Sequence, residues 1–216
     1  MDFKLYLITD RLRGRGAIME AVEQALQGGI KAVQLREKDL PVRDLLHLAR
    51  ALRRLTHTFG AKLFINDRLD VALSVGADGV HLGQKGIPAS VARRVAGSLL
   101  LIGVSTHSLA EAEEAESEGA DFITFGPIYD TPSKREFGSP LGTEPLARVV
   151  RKVRLPVFAI GGIGPSQVRE VLLSGVSGVA VISAILAAPS IIHAAERMSA
   201  ELRNAAAGQV DPPIVQ

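Results

Sequence analysis

The 216-residue sequence contains no cysteine. Disulfides, thiolate nucleophiles and cysteine-ligated zinc are therefore excluded. No apolar run reaches the roughly 20 residues that a membrane-spanning helix needs. The N-terminus, MDFKLYLITDR, has no basic segment, apolar stretch and small-residue cleavage site in the order of a signal peptide. An excess of one charge is also missing. Lys and Arg number 25 and Asp and Glu 23, which leaves +2, too little for a nucleic-acid surface. A sequence pI of about 9.1 still permits acidic ligands. These absences point to a cytoplasmic enzyme or small-molecule-binding protein, with neither nucleic acid nor a membrane as partner, and they leave a homo-oligomer open.

What is present fits one domain with a substantial core, since 47% of residues are apolar and 22% charged. Short β-rich runs alternate with helical patterns. The expected strands are Phe3–Thr9, Ala32–Arg36, Leu63–Asn66, Gly79–Leu82, Leu100–Val104, Phe122–Phe125, Val157–Ile160 and Gly178–Ile182. Several are apolar on nearly every residue, as strands covered on both faces are. Helical spacing is predicted near 17–26, 41–58, 68–75, 88–96, 108–118, 143–152, 165–174 and 188–203. A weak repeat supports this division: GGIKAVQLRE, GADGVHLGQ, GADFITFGP and GVSGVAVIS each run from a helix-ending glycine through a turn into a strand. Eight βα units predict an α/β protein of the (β/α)8 TIM-barrel class, one domain over residues 1–204 followed by a loosely held tail, 205–216. A doubly wound sheet is the alternative, but the first turn, ITDRLRGRG, does not match GxGxxG.

A barrel builds its active site at the C-terminal strand ends, so the residues just after each apolar run should form one chemical set. In VQLREK, alternation sends Gln34, Arg36 and Lys38 to one side and Leu35 and Glu37 to the other. Two cations and an amide suit a polyanion such as a diphosphate, although a solvated strand end would look similar. FINDR places Asn66 beside Asp67, a pair that could bind a heterocycle edge and a divalent cation or cap the next helix. His81, in GVHLGQ, reads as a structural histidine inside the strand, and Gln84 as a rim residue. IGVSTHS offers Ser105 as a ligand contact and His107 as a general base, with helix capping as the competing role. FGPIYDTPSK closes a strand with Thr131, Pro132, Ser133 and Lys134, hydroxyls and an ammonium that could receive an anion or belong to a solvated loop. AIGGIGP and VAVISAI follow, and Gly162 with Val181 to Ser183 fits the phosphate cradle common after strands seven and eight of this fold. Two anion sites at one barrel mouth suggest the joining of two phosphorylated molecules.

These stretches carry a resemblance. LYLITD, VQLREK, INDRLDVA, ADGVHLGQ, GVSTHSLAEA, GADFITFGPIYDTPSK and FAIGGI…GVAVISAI are similar to thiamine-phosphate synthases (thiamine-phosphate pyrophosphorylases), in family order over roughly residues 4 to 186. The resemblance implies a transferase of thiamine biosynthesis that joins 4-amino-5-hydroxymethyl-2-methylpyrimidine diphosphate to a thiazole phosphate, releasing pyrophosphate with Mg²⁺ as cofactor. It implies that the segment Gln34, Leu35, Arg36, Glu37 and Lys38, with Asn66, holds the pyrimidine diphosphate, and that Asp67 binds Mg²⁺. Ser105 would touch the pyrimidine and Lys134 the departing pyrophosphate. Thr131, Pro132, Ser133, Gly162, Ile182 and Ser183 would hold the thiazole phosphate. Of these, Lys134, Arg36, Lys38 and Ser105 are the expected catalytic group. One departure stands out: after HLGQ the family pattern usually has two acidic residues, and here Lys85 and Gly86 stand instead. The related TenI-type thiazole tautomerases, which would use a histidine like His107 as base, are the alternative, and a non-catalytic phosphometabolite-binding barrel is a third.

Overall fold

The computed structural model describes residues 1–12, 16–131 and 139–207. Eight strands form a closed parallel barrel in chain order: β1 (Leu5–Ile8), β2 (Ala32–Leu35), β3 (Lys62–Asn66), β4 (Gly79–Leu82), β5 (Leu101–Thr106), β6 (Phe122–Phe125), β7 (Val157–Ile160) and β8 (Gly178–Val181). Among the described residues the helices are α1 (Ile18–Gln27), α2 (Val42–Thr58), α3 (Leu69–Val75), α4 (Ala89–Ala96), α5 (Leu109–Ser117), α6 (Thr143–Lys152), α7 (Val168–Leu173), α8 (Ser183–Leu186) and α9 (Ile191–Ala207). The fold is the (β/α)8 barrel that the alternation predicts. None of these helices is long and apolar enough to cross a membrane.

Strand alternation divides the core in two. Leu5, Leu7, Val33, Leu35, Leu63 and Ile65 face outward and meet the apolar stripes of the helices, among them Ala21, Val22, Ala25 and Leu26 of α1. The inward set is aromatic: Phe3, Tyr6, Phe64, Phe122 and Phe158. Glycines on neighbouring strands explain how so many rings fit. Phe64 lies opposite Gly79, Phe122 opposite Gly103 and Phe158 opposite Gly178. A Cβ at Gly79 would lie 2.5 Å from the Phe64 ring, and one at Gly103 2.4 Å from Phe122. The missing side chain on one strand makes room for the large one on the next.

At the N-terminal rim, the aspartates of the two GAD repeats make the same clip twice. Asp78 Oδ2 accepts from Leu63 N at 2.8 Å and Arg53 at 2.7 Å. Asp121 Oδ2 accepts from Ile102 N at 2.7 Å and Arg93 at 2.5 Å. Each clip joins a strand, the helix before it and the turn after the next helix.

Several boundaries differ from the sequence reading. β5 continues through Ser105 and Thr106 because both pair with β6. The helix expected at 165–174 begins with a 3₁₀ turn, Pro165–Gln167. The four-residue α8, too short to show a period, precedes the long α9. α9 runs to Ala207, three residues past the 204 boundary; residues 208–216 lie outside the described set.

Candidate active site

A cavity of about 420 Å³ opens at the C-terminal ends of β5 to β8. Its position follows from two glycines after β7. Gly161 and Gly162 have φ of 103° and 66°, backbone that a side chain disfavours. A Cβ at Gly161 would lie 2.6 Å from Pro127, and one at Gly162 2.7 Å from the Asp130 carbonyl oxygen. Their absence lets the segment after β6 lie directly on the end of β7, with Ile128 N donating to Ile160 O at 2.9 Å and Tyr129 N to Gly161 O at 3.0 Å. That contact brings Asp130 and Thr131 to the cavity wall. Ile182, Ser183 and Ala184 supply the opposite wall at the start of α8, where a first turn leaves N–H groups without intrahelical acceptors. Gly164 and Gln167 close one side, with Gly164 N held by Gln167 Oε1 at 3.1 Å.

The cavity gathers Ser105, Thr131, Gly162, Ile182 and Ser183 from the expected set. Pro132, Ser133 and Lys134 lie outside the described residues. His107 also faces the cavity. The capping role in that stretch belongs to Ser108, whose hydroxyl accepts from Glu111 N at 3.2 Å. Glu111 in turn accepts from His107 N at 2.6 Å and lies 3.2 Å from His107 Nδ1.

The residues of β2 and β3 stand at the same end of the barrel but do not line this cavity. Gln34 is buried and donates to Tyr6 Oη at 3.0 Å. Leu35 belongs to the outer apolar layer. Glu37 is buried and accepts from Arg11 N through both oxygens, at 3.2 and 3.1 Å; burial raises its pKa above the usual carboxylate range. Arg36 is half-buried, with its backbone N–H on Thr9 Oγ1 at 2.9 Å, and Lys38 is exposed. Neither Asn66 nor Asp67 caps α3, which begins after Arg68 without a side-chain cap. Asp67 instead has φ of 57°. Its Oδ1 accepts from Gly83 N at 2.7 Å and its Oδ2 from Asn66 Nδ2 at 2.8 Å. Gly86 lies against it, since a Cβ there would be 2.8 Å from Asp67 Oδ1.

Oxygen donors of this kind suit a hard cation such as Mg²⁺, which commonly takes one or two carboxylates and completes its shell with water and substrate phosphate. Asp67 fits that minimal role. Among the described residues no group of three or more His, Asp or Glu could hold a metal.

Several wall residues escaped sequence reasoning. Thr124 is a hydroxyl in an inward position of the apolar run FITF, a signal that was present. Gln167 and Gly164 sit in an irregular turn with no period to mark them. His81 is buried, as a structural histidine should be. Its Nε2 lies 3.1 Å from Ser105 Oγ, and burial together with the Arg36 charge lowers its pKa to about 3. Gln84 reaches across the rim to the Ser105 carbonyl at 2.5 Å.

Residues 5–185 match the family described as thiamine monophosphate synthase. A Geobacter sulfurreducens protein provisionally named thiamine-phosphate synthase is 57% identical over 190 residues, which cover 88% of this chain and 89% of that protein. The thiamine-phosphate synthase of Moorella thermoacetica is 46% identical over 91% of this chain and 94% of its own length. The solved structure of thiamine phosphate pyrophosphorylase from Pyrococcus furiosus superposes with a TM-score of 0.87 at 42% identity, covering 94% of this chain and 96% of that one. Fold and sequence agree: the chain belongs to the thiamine monophosphate synthase family.

Proposed function

We propose that the protein condenses 4-amino-5-hydroxymethyl-2-methylpyrimidine diphosphate with a thiazole phosphate to give thiamine phosphate and pyrophosphate. The observation that carries this reading is the cavity where Ser105, Thr131, Gly162 and Ser183 converge, with Arg36 and Asp67 at the neighbouring strand ends. Hydroxyls and backbone N–H groups at Thr131, Gly162, Ile182 and Ser183 receive the thiazole phosphate. Arg36 and Lys38 neutralise the diphosphate, with Gln34 and Asn66 beside it, and Ser105 meets the pyrimidine. Lys134, outside the described residues, is assigned to the leaving pyrophosphate. The C–O bond to the diphosphate breaks with its electron pair on the leaving group. The thiazole nitrogen then donates its lone pair to the resulting methyl cation. Fixed positive charge beside the departing oxygen lowers that barrier. Asp67 would hold Mg²⁺, which when bound offsets diphosphate charge. Phosphorylated substrates do not cross membranes unaided, so the reading puts the reaction in the cytoplasm.

The test is incubation of the pure protein with both substrates and Mg²⁺, reading thiamine phosphate and pyrophosphate in equal amounts. No coupling with intact substrate binding overturns the proposal. A second reading, proton transfer on a thiazole, draws on the His107–Glu111 pair at the cavity wall. Under the first reading Lys134→Ala cripples coupling and His107→Asn leaves much of it; the reverse order favours the second.

A further inference from the structure

A line of hydrogen-bonding groups crosses the barrel interior beneath the cavity. Gln34 Nε2 donates to Tyr6 Oη at 3.0 Å. Tyr6 Oη lies 3.5 Å from His81 Nδ1. His81 Nε2 lies 3.1 Å from Ser105 Oγ and 3.4 Å from Thr124 Oγ1. Gln34, Tyr6, His81 and Thr124 are buried, while Ser105 reaches the cavity. The imidazole is seated over Gly103, where a Cβ would come within 2.6 Å of Nδ1.

The direction of these bonds follows from proton inventory. A phenol has one proton and can also accept; a neutral imidazole has one N–H and one lone pair. Tyr6 Oη accepts from Gln34, and its own buried proton is satisfied among these groups only by turning to His81 Nδ1. That nitrogen must then carry the lone pair, and the ring proton sits on Nε2. Nε2 donates to the nearer hydroxyl, Ser105. The serine, having accepted, keeps its own proton to give elsewhere. The reverse order, in which Ser105 donates inward and Tyr6 ends on the Gln34 carbonyl, would leave the serine facing the cavity as an acceptor.

We infer that His81 is a positioning residue, fixed by Tyr6 as the Nε2–H tautomer, which turns the Ser105 hydroxyl into a donor aimed at an acceptor atom of the bound substrate. The substrate part rests on the proposed function; the tautomer does not. Burial and the Arg36 charge keep the ring neutral, so the order holds across physiological pH.

Long-range ¹H–¹⁵N correlation of histidine-labelled protein without ligand reads the tautomer, with His81 assigned by the signal lost in His81→Gln. The expected result is a pyrrole-type Nε2 and a pyridine-type Nδ1, unchanged between about pH 6 and 8. A dominant Nδ1–H form, or an even mixture, overturns the inference whatever the protein catalyses. The kinetic arm compares Tyr6→Phe in two backgrounds. Losing one oriented hydrogen bond should lower kcat/KM about two- to tenfold with Ser105 present and have little effect in Ser105→Ala, because the two act as one unit. Equal losses in both backgrounds also overturn it.

Discussion

Gly162→Ala tests the account of how the cavity is built. Two costs separate at this position. A side chain at φ of 66° is strained by about 1–2 kcal/mol, partly offset by the loss of about 0.4–1 kcal/mol of unfolded-chain freedom when glycine becomes alanine. The new methyl would also lie 2.7 Å from the Asp130 carbonyl oxygen and 2.8 Å from Tyr129 Cβ. Both belong to a segment pinned to β7 by backbone bonds, so the overlap cannot relax by a side-chain rotation, and overpacking of this kind costs about 1–3 kcal/mol. Gly76 is the control. It has nearly the same φ, 61°, with nothing within 4 Å of an added Cβ. Gly76→Ala should therefore lose about 0–1.5 kcal/mol from strain alone, and Gly162→Ala about 1–3 kcal/mol more. Urea denaturation of the two variants and the parent measures the difference. Gly162→Ala should also weaken binding of the thiazole phosphate, because relief of the clash pushes Asp130 and Thr131 off the wall. Equal destabilisation by both substitutions would refute the reasoning.

Three further outcomes are expected. Arg36→Ala should weaken pyrimidine diphosphate binding by about 2–5 kcal/mol, as loss of one partner of a desolvated charge pair does, while the unfolding midpoint stays near that of the parent; isothermal titration and denaturation read the two, and unchanged affinity removes Arg36 from the site. Gly86→Asp would set a second carboxylate against Asp67, so without metal it should lower the thermal midpoint, and Mg²⁺ should restore it and half-activate at lower concentration than in the parent. Coincident Mg²⁺ titrations would make Gly86 irrelevant to the metal. His81 has a folded pKa of about 3 against an ordinary 6.5, so its contribution to stability is present above about pH 6.5 and is lost as pH falls toward 3, with a slope of about 1.4 kcal/mol per pH unit. His81→Gln should flatten that part of the stability profile, and an unchanged slope would refute it.

The strand positions were legible because a strand covered on both faces is written as an apolar run, and each run ended at a helix-opening turn. The cavity hydroxyls were legible for a related reason: Ser105 and Ser183 interrupt apolar sequence where only a ligand or a cap explains them. α8 was not legible, since four residues cannot display a helical period. Nor was the contact of Gln34 with Tyr6, because a sequence does not say which group a buried amide meets across the barrel. The pressure of Gly86 on Asp67 was equally hidden, because it depends on how β3 and the turn after β4 approach in space.

The paired clips at the N-terminal rim bear on the order of assembly. Arg53 and Asp78 are 25 residues apart, Arg93 and Asp121 28, whereas the seam that closes the barrel joins Lys4 O to Val179 N, ends of the chain with little local connection. Loop-closure entropy favours the short-range contacts. The arc from β3 to β6 can therefore consolidate first, each clip locking one βα unit to the next as the chain emerges, and the β1–β8 seam forms last. The mouth that carries the chemistry takes no part in these clips, so its loops are free to diverge without slowing the birth of the barrel.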